Sequence, residues 1–303
     1  EYNMITLKQI NDDYNTSVKN LVKYTNDQMS NTYRMNGVAK QFFTTRIQND
    51  YNQNLSTLNT KRKGLIKQIN KLITSALIVG INYTGTPYAL NGCINDANNM
   101  REFVSARGCD KILMMTDKDL VKPTRINILA GLTNLLLTTN EGETSMFYYS
   151  GHGTNIADTN GDETDGQDEC IFTLDGRLIV DDEMNTIIKK YLKSNATLFI
   201  LCDCCHSGTL FDLKYNYNED TNLVKDVDLS GNVYYISGCR DSQVSMETFT
   251  NRQSQGALTN AFLSTESSNW KDFITNLRSK IQGQTPQLST SKHVDINMEK
   301  CFF

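Results

Sequence analysis

Only three histidines occur in the 303 residues, His152, His206 and His293, so any chemistry that needs an imidazole has few places to find one. No apolar run approaches the roughly 18 residues of a membrane-spanning helix, and no span is expected. No basic stripe with interleaved aromatics stands out, and the net charge of −4 comes from interspersed signs, which sets nucleic acid aside as a partner. The residues from Glu1 onward are polar and show no leader, although one further upstream stays open. Three of the eight cysteines, Cys202, Cys204 and Cys205, crowd one short run. That crowding is unlike a spaced disulfide framework, so a reducing, intracellular and cytoplasmic setting is expected.

What remains is a globular composition, 39% hydrophobic and 21% charged. The length suits one large α/β domain with an accessory segment, or two ordinary domains.

Residues 1–73 differ from the rest. They contain none of the three prolines and are rich in Asn, Thr, Lys and Gln. Tyr14, Val18 and Leu21, then Tyr51, Leu55, Leu58, Leu65, Ile69 and Leu72, recur at helical spacing. Two or more long amphipathic helices are expected there, either packed on the main domain or serving as a pro-segment or partner-binding arm.

From residue 74 to 303 the chain alternates strand and helix. Strands are expected over 76–81, 111–116, 145–149, 170–174, 197–202 and 233–237, and a tail from His293 as an edge strand. Helices are expected over 95–106, 124–137 behind Pro123, 181–192, 256–264 and 269–281. Such alternation implies a mostly parallel sheet with helices on both faces. Sites in such sheets gather beyond the carboxyl ends of the strands. Ser150-Gly151-His152-Gly153, Asp203-Cys204-Cys205-His206 and Gly238-Cys239-Arg240-Asp241 all fall at such ends.

Cys205 follows an apolar strand on what reads as a tight turn. A buried structural thiol is one reading. Zinc is disfavoured, because no second ligand pair stands nearby. A nucleophilic thiol needs a base. His152 sits between two glycines about 50 residues upstream, the order and separation described for caspases.

Tyr149-Ser150-Gly151-His152-Gly153 and Asp203-Cys204-Cys205-His206-Ser207-Gly208 resemble the two catalytic motifs of the metacaspases, caspase-like cysteine peptidases. Leu90-Asn91-Gly92-Cys93-Ile94-Asn95-Asp96-Ala97, Ser237-Gly238-Cys239-Arg240-Asp241, Gln255-Gly256-Ala257-Leu258-Thr259 and Thr285-Pro286-Gln287-Leu288-Ser289 extend the resemblance over about residues 75–303. It implies a caspase-like three-layer α/β/α domain, with a large-subunit part over 74–213, a linking loop over 214–231 and a small-subunit part over 232–303.

The resemblance implies His152 as general base, Cys205 rather than Cys204 as nucleophile, and the Gly153 amide in the oxyanion hole. It implies an S1 pocket of Cys93, Asp96, Ser150 and Asp203, hence protein or peptide substrates with Arg or Lys at P1. Two carboxylates suit a guanidinium or an ammonium, although Asp96 also reads as a helix-start acid.

The acidic stretch Asp158–Glu169 fails as an EF-hand, because Glu163 occupies the position that requires glycine. The resemblance instead implies an activating Ca²⁺ held by Asp168, Asp181, Asp182 and Asp212. Lys214 and Lys225, in the polar linking stretch, are places for self-cleavage or parts of an uncut loop. A monomer is expected. Two rival readings are a non-catalytic signalling homologue and a calcium-binding regulatory module. A paracaspase is a close cousin, but nothing here resembles its immunoglobulin-like domains.

Overall fold

The computed structural model describes residues 7–69, 73–157, 166–204, 210–211, 213–217, 221–223, 229–238, 247–250 and 253–301. The chain divides into two compact units, Glu1–Asn70 and Lys71–Phe303.

The first unit is a helical hairpin. Helix α1 runs Leu7–Asn31, a short 3₁₀ turn covers Thr32–Arg34, and α2 runs Gly37–Ile69. The helices are antiparallel partners: the Tyr14 hydroxyl donates to Asn59 Oδ1 at 2.7 Å, and the Arg62 guanidinium lies 5.0 Å from the Tyr14 ring centroid. Tyr14, Val18 and Leu21 face inward with Tyr51, Leu55 and Leu58, as their spacing predicts. All six are only half-buried, because two helices cannot enclose a stripe.

The second unit is built in three layers. Its elements in chain order begin with β1 (Ile73–Gly80), α3 (Cys93–Ala106), β2 (Lys111–Thr116), α4 (Arg125–Thr138) and β3 (Thr144–Ser150). They continue with β4 (Gly153–Ala157), β5 (Gln167–Phe172), β6 (Leu178–Val180), α5 (Asp181–Tyr191) and β7 (Thr197–Asp203). The remainder are β8 (Tyr215–Tyr217), β9 (Thr221–Leu223), β10 (Asn232–Ser237), β11 (Glu247–Thr250), β12 (Gln253–Gly256), α6 (Ala257–Leu263), α7 (Trp270–Ser279) and β13 (Gln287–Thr290).

The main sheet has the order β2-β1-β3-β7-β10-β13-β8-β9. Its first five strands are parallel, whereas β13, β8 and β9 join antiparallel. The expected mostly parallel sheet with helices on both faces is therefore what the chain forms.

Side-chain alternation along the strands separates two cores. Leu77, Val79, Phe147, Tyr149, Leu198 and Ile200 pack with α4 and α5 through Leu132, Leu136, Met184 and Ile188. Ala76, Ile78, Met146, Tyr148, Phe199 and Leu201 pack on the other face with α3, α6 and α7 through Met100, Phe262, Trp270 and Phe273. The one tryptophan, Trp270, is fully buried and stacks on Tyr234 and Phe199 at centroid distances of 5.2 and 6.1 Å.

The structure departs from the sequence expectation in several places, and adds four strands the sequence did not suggest, β4, β6, β11 and β12. The tail from His293 is not a strand; the strand is Gln287–Thr290, and it lies inside the sheet between β10 and β8. The tail alternates like a strand, but its backbone is satisfied elsewhere. The Val294 amide donates to the Tyr217 hydroxyl at 2.7 Å and the Lys271 amide to the Ile296 carbonyl at 3.0 Å. The linking stretch 214–231 contributes β8 and β9 to the far edge of the sheet. The strand placed at 170–174 runs Gln167–Phe172 instead, drawn toward its antiparallel neighbours β4 and β6.

Candidate active site

The register of the parallel strands assembles the site. Gly80 of β1, Ser150 of β3 and Asp203 of β7 are successive partners at the carboxyl ends of neighbouring strands. Parallel strands all end on the same side, so residues far apart in sequence arrive within about 5 Å of each other across each strand pair. His152 stands two residues beyond Ser150. Cys205 stands two residues beyond Asp203 in the chain and lies outside the described residues.

Asp96 and Asp203 are 1% and 4% exposed. Ser150 Oγ donates to Asp96 Oδ2 at 3.1 Å, and the Gly256 amide donates to the same oxygen at 2.9 Å. Asp203 Oδ2 accepts from the Thr259 amide at 2.9 Å and from its hydroxyl at 2.8 Å. The Tyr148 hydroxyl bonds Thr259 Oγ1 at 2.7 Å. That phenol is held well above its ordinary value, by burial first and then by the charges of Asp96 and Asp203. A Cβ added at Gly256 would sit 2.1 Å from Asp203 Oδ2 and 3.0 Å from Asp96 Oδ2. Only glycine lets the backbone pass between the two carboxylates. Cys93, at the start of α3, is buried nearby in sequence to Asp96.

The His152 imidazole is aimed by the main chain. Its Nε2 lies 2.8 Å from the Tyr88 carbonyl oxygen, which can only accept, so Nε2 is the donating nitrogen and Nδ1 is the one that can act as base. The ring stands 4.9 Å from the Tyr83 ring, which in turn stacks on Phe172 at 5.5 Å. Gly153 opens β4 opposite Ile171. Cys204 is fully buried in the core that contains Tyr83 and Tyr149.

The acidic candidates form a second group around β5, β6 and α5. Asp168, Glu169 and Asp181 are nearly completely buried, and Asp182 is partly so. The Cys170 thiol is pushed up to about 12, first by burial and then by the carboxylates of Asp181, Asp168, Glu169 and Glu183. Among the described residues, no three His, Cys, Asp or Glu side chains are arranged to hold a metal ion. Asp212 lies outside the described residues, as do Lys225 and residues 158–165 of the acidic stretch. Lys214 is half-buried at the entry to β8.

Several site residues carry no signal in the sequence. Gly256 and Thr259 were part of a resembling motif but had no role until the fold laid α6 beside β7. The Tyr88 carbonyl is backbone, which any residue supplies. Tyr83 stood only at the end of the first strand, and Glu169 only as the last residue of the rejected EF-hand stretch, with no role for either.

Residues 74–214 match the family model "Metacaspase, peptidase C14 domain". The chain is 32% identical over 291 residues to Metacaspase-1 of Candida glabrata, covering 74% of each protein. It is 31% identical over 292 residues to Metacaspase-1 of Saccharomyces cerevisiae, covering 74% of this chain and 68% of that one. A crystal structure of a Geobacter sulfurreducens protein superimposes with a TM-score of 0.58 at 25% identity, over 75% of this chain and 96% of that chain. No described helix is long and apolar enough to cross a membrane. With its sheet, its strand-end site and these relatives in agreement, the chain belongs to the metacaspase family and is a homologue of its cysteine peptidases.

Proposed function

We propose that this protein is an endopeptidase that cuts after Arg or Lys with Cys205 as nucleophile and His152 as base, activated by calcium. One observation carries the specificity: two buried carboxylates, Asp96 and Asp203, flank Gly256 at the strand ends, where Ser150, two residues before His152, bonds one of them. Burying two carboxylates together is costly unless a cation meets them. A P1 guanidinium or ammonium supplies that cation, with Cys93 and Ser150 on the pocket wall. The complete burial of Cys204 favours its neighbour as the reactive thiol.

The reaction follows from the tautomer. Nδ1 of His152 takes the Cys205 thiol proton, and the thiolate attacks the carbonyl carbon after the P1 residue. Negative charge on the carbonyl oxygen is met by backbone amides, that of Gly153 among them. The imidazolium then gives its proton to the leaving amine as the C–N bond breaks, which leaves a thioester on Cys205. Water, deprotonated by His152, attacks the thioester, releases the new carboxyl terminus and restores the thiol.

Asp168, Asp181 and Asp182, with Asp212, are the residues proposed to hold Ca²⁺. Asp168, Asp181 and Asp182 are not drawn around one point in this structure, so the reading rests on their hard oxygens and on the burial of Asp168, Glu169 and Asp181. Calcium held there would supply positive charge against these carboxylates. Substrates are proteins or peptides, the protein acts as a monomer in a reducing compartment, and Lys214 and Lys225 are the places proposed for self-cleavage.

Cleavage of a peptide library by wild type and Cys205→Ala, in calcium and in chelator, tests the reading. Cleavage after Arg and Lys that needs both Cys205 and calcium is expected. Cleavage retained in Cys205→Ala overturns the nucleophile, and a preference for other P1 residues overturns the pocket.

A further inference from the structure

His152 stands between Gly151 and Gly153. Two flanking glycines leave the backbone free to adopt many conformations and provide no side chains to anchor it. A base that must meet a thiol within hydrogen-bond reach cannot tolerate that freedom. The restraint has to come from outside the segment.

We propose that Tyr83 and Tyr149 are positioning residues for the base, their two hydroxyls clamping the backbone N–H and C=O of His152. The inference rests on the reading of His152 as the base.

The His152 amide donates to the Tyr83 hydroxyl at 3.0 Å, and the Tyr149 hydroxyl donates to the His152 carbonyl at 2.8 Å. The Tyr83 hydroxyl passes its own proton to the Phe172 carbonyl at 2.6 Å, while the Phe172 amide donates back to the His152 carbonyl at 3.0 Å. The Phe172 carbonyl is a second acceptor within reach of the Tyr149 hydroxyl, at 2.9 Å, so both phenols are held against the one strand that pairs with His152. The two phenolic oxygens lie 3.0 Å apart. Burial holds both phenols far above their ordinary range, so both stay protonated and able to donate wherever the protein is folded.

Two further features belong to the clamp. A Cβ at Gly151 would lie 2.6 Å from the Tyr149 hydroxyl and 2.9 Å from that of Tyr83, so glycine is required there for the hydroxyls to close on the peptide. Tyr83 itself adopts φ +50, a left-handed conformation that costs a non-glycine residue free energy. Asp117 holds it there: Oδ1 accepts from the Asn82 amide and Oδ2 from the Thr84 amide, each at 2.9 Å, bracketing Tyr83 on both sides. A strained residue secured by a carboxylate staple is spent on presenting one hydroxyl and one ring face to His152.

The test compares Tyr83→Phe and Tyr149→Phe with wild type in the full chain, with calcium and an Arg-terminated fluorogenic peptide. Tyr235→Phe is the control, since it removes a buried hydroxyl of the same sheet face that bonds Cys202 instead of His152. A lost clamp is expected to lower kcat about 10- to 100-fold with KM within about twofold, the scale on which small misplacements act. The thermal shift should match that of Tyr235→Phe, whose kcat stays near wild type. Should a tyrosine variant fail to fold, Gly151→Ala, which forces the hydroxyls off the peptide, is expected to give the same kcat-only loss.

A kcat unchanged in both Phe variants while His152→Ala is inactive overturns the clamp and leaves the Cys–His reading standing. Equal losses in Tyr235→Phe, or a fall in kcat matched by a rise in KM, overturn it as general core damage. Wild-type activity in His152→Ala overturns the reading beneath it.

Discussion

Asp203 Oδ2 takes two hydrogen bonds from one residue, the amide of Thr259 at 2.9 Å and its hydroxyl at 2.8 Å. Asp203 ends β7 and Thr259 lies in the first turn of α6, so the carboxylate also caps the helix where its dipole is positive. The acid proposed to meet a P1 cation is thus held by the part of the chain that follows β10.

That arrangement makes Thr259 a determinant of affinity. In Thr259→Val the amide bond survives and the hydroxyl bond is lost, so the carboxylate is held less firmly. KM for Arg- and Lys-terminated peptides is expected to rise about tenfold, the worth of one hydrogen bond to a charged group. Steady-state kinetics against Thr259→Ser, which restores the hydroxyl and should restore KM, check it.

Gly256→Ala tests the space between the carboxylates. The new methyl would be driven against Asp203 Oδ2 and Asp96 Oδ2. A loss of about 1–3 kcal/mol in stability is expected from the overpacking, together with loss of Arg/Lys cleavage. Thermal melts and kcat/KM measured together decide whether both effects occur.

The thiols differ in reactivity with pH. Burial first, then nearby carboxylates, raise Cys170 to about 12, and burial raises Cys109 to about 11. A raised value favours the neutral thiol, so thiolate at these positions appears only as pH climbs toward those values. At pH 7.5 fewer than about one in a thousand is ionised. Stoichiometric iodoacetamide at that pH is expected to label Cys205 first, read by peptide mass spectrometry, with Cys109 and Cys170 labelled only after unfolding.

Asp168→Asn and Asp181→Asn each remove one charge from the buried acidic group of β5 and α5. The calcium concentration for half-maximal activity is expected to rise about tenfold or more, since affinity follows the number of charged ligands. Titration calorimetry on the same variants should show the matching loss of binding.

The helical hairpin should not stand alone. Among its residues 12–62, Thr32 is the one buried residue, and a unit of this size rarely stabilises itself without a larger core. A peptide spanning residues 1–70 is expected to show low helicity by circular dichroism and a broad, non-cooperative melt. A sharp melt with full helicity would show that the half-buried stripe is sufficient.

The sequence alone determined the five parallel strands of the central sheet and pointed to their carboxyl ends as the place for a site. Continuous apolar runs such as 76–81 and 197–202 have the length of buried strands, and parallel strands must bring their carboxyl ends together. Ser150, His152 and Asp203 could therefore be placed side by side from the order of elements. The alternation in Val294 and Ile296 misled, because periodicity reports which side chains are buried and not which backbone groups form a ladder.

Only the tertiary structure decided what holds those residues in place. Thr259 reaches Asp203, and Gly256 reaches Asp96, through the packing of α6 beside the sheet, a contact that no local pattern encodes. The Tyr88 carbonyl and the hydroxyls of Tyr83 and Tyr149 orient His152 through backbone groups, which every residue carries alike. Side-chain chemistry is written in the sequence; the direction in which a shared backbone atom points is settled only when the chain has folded.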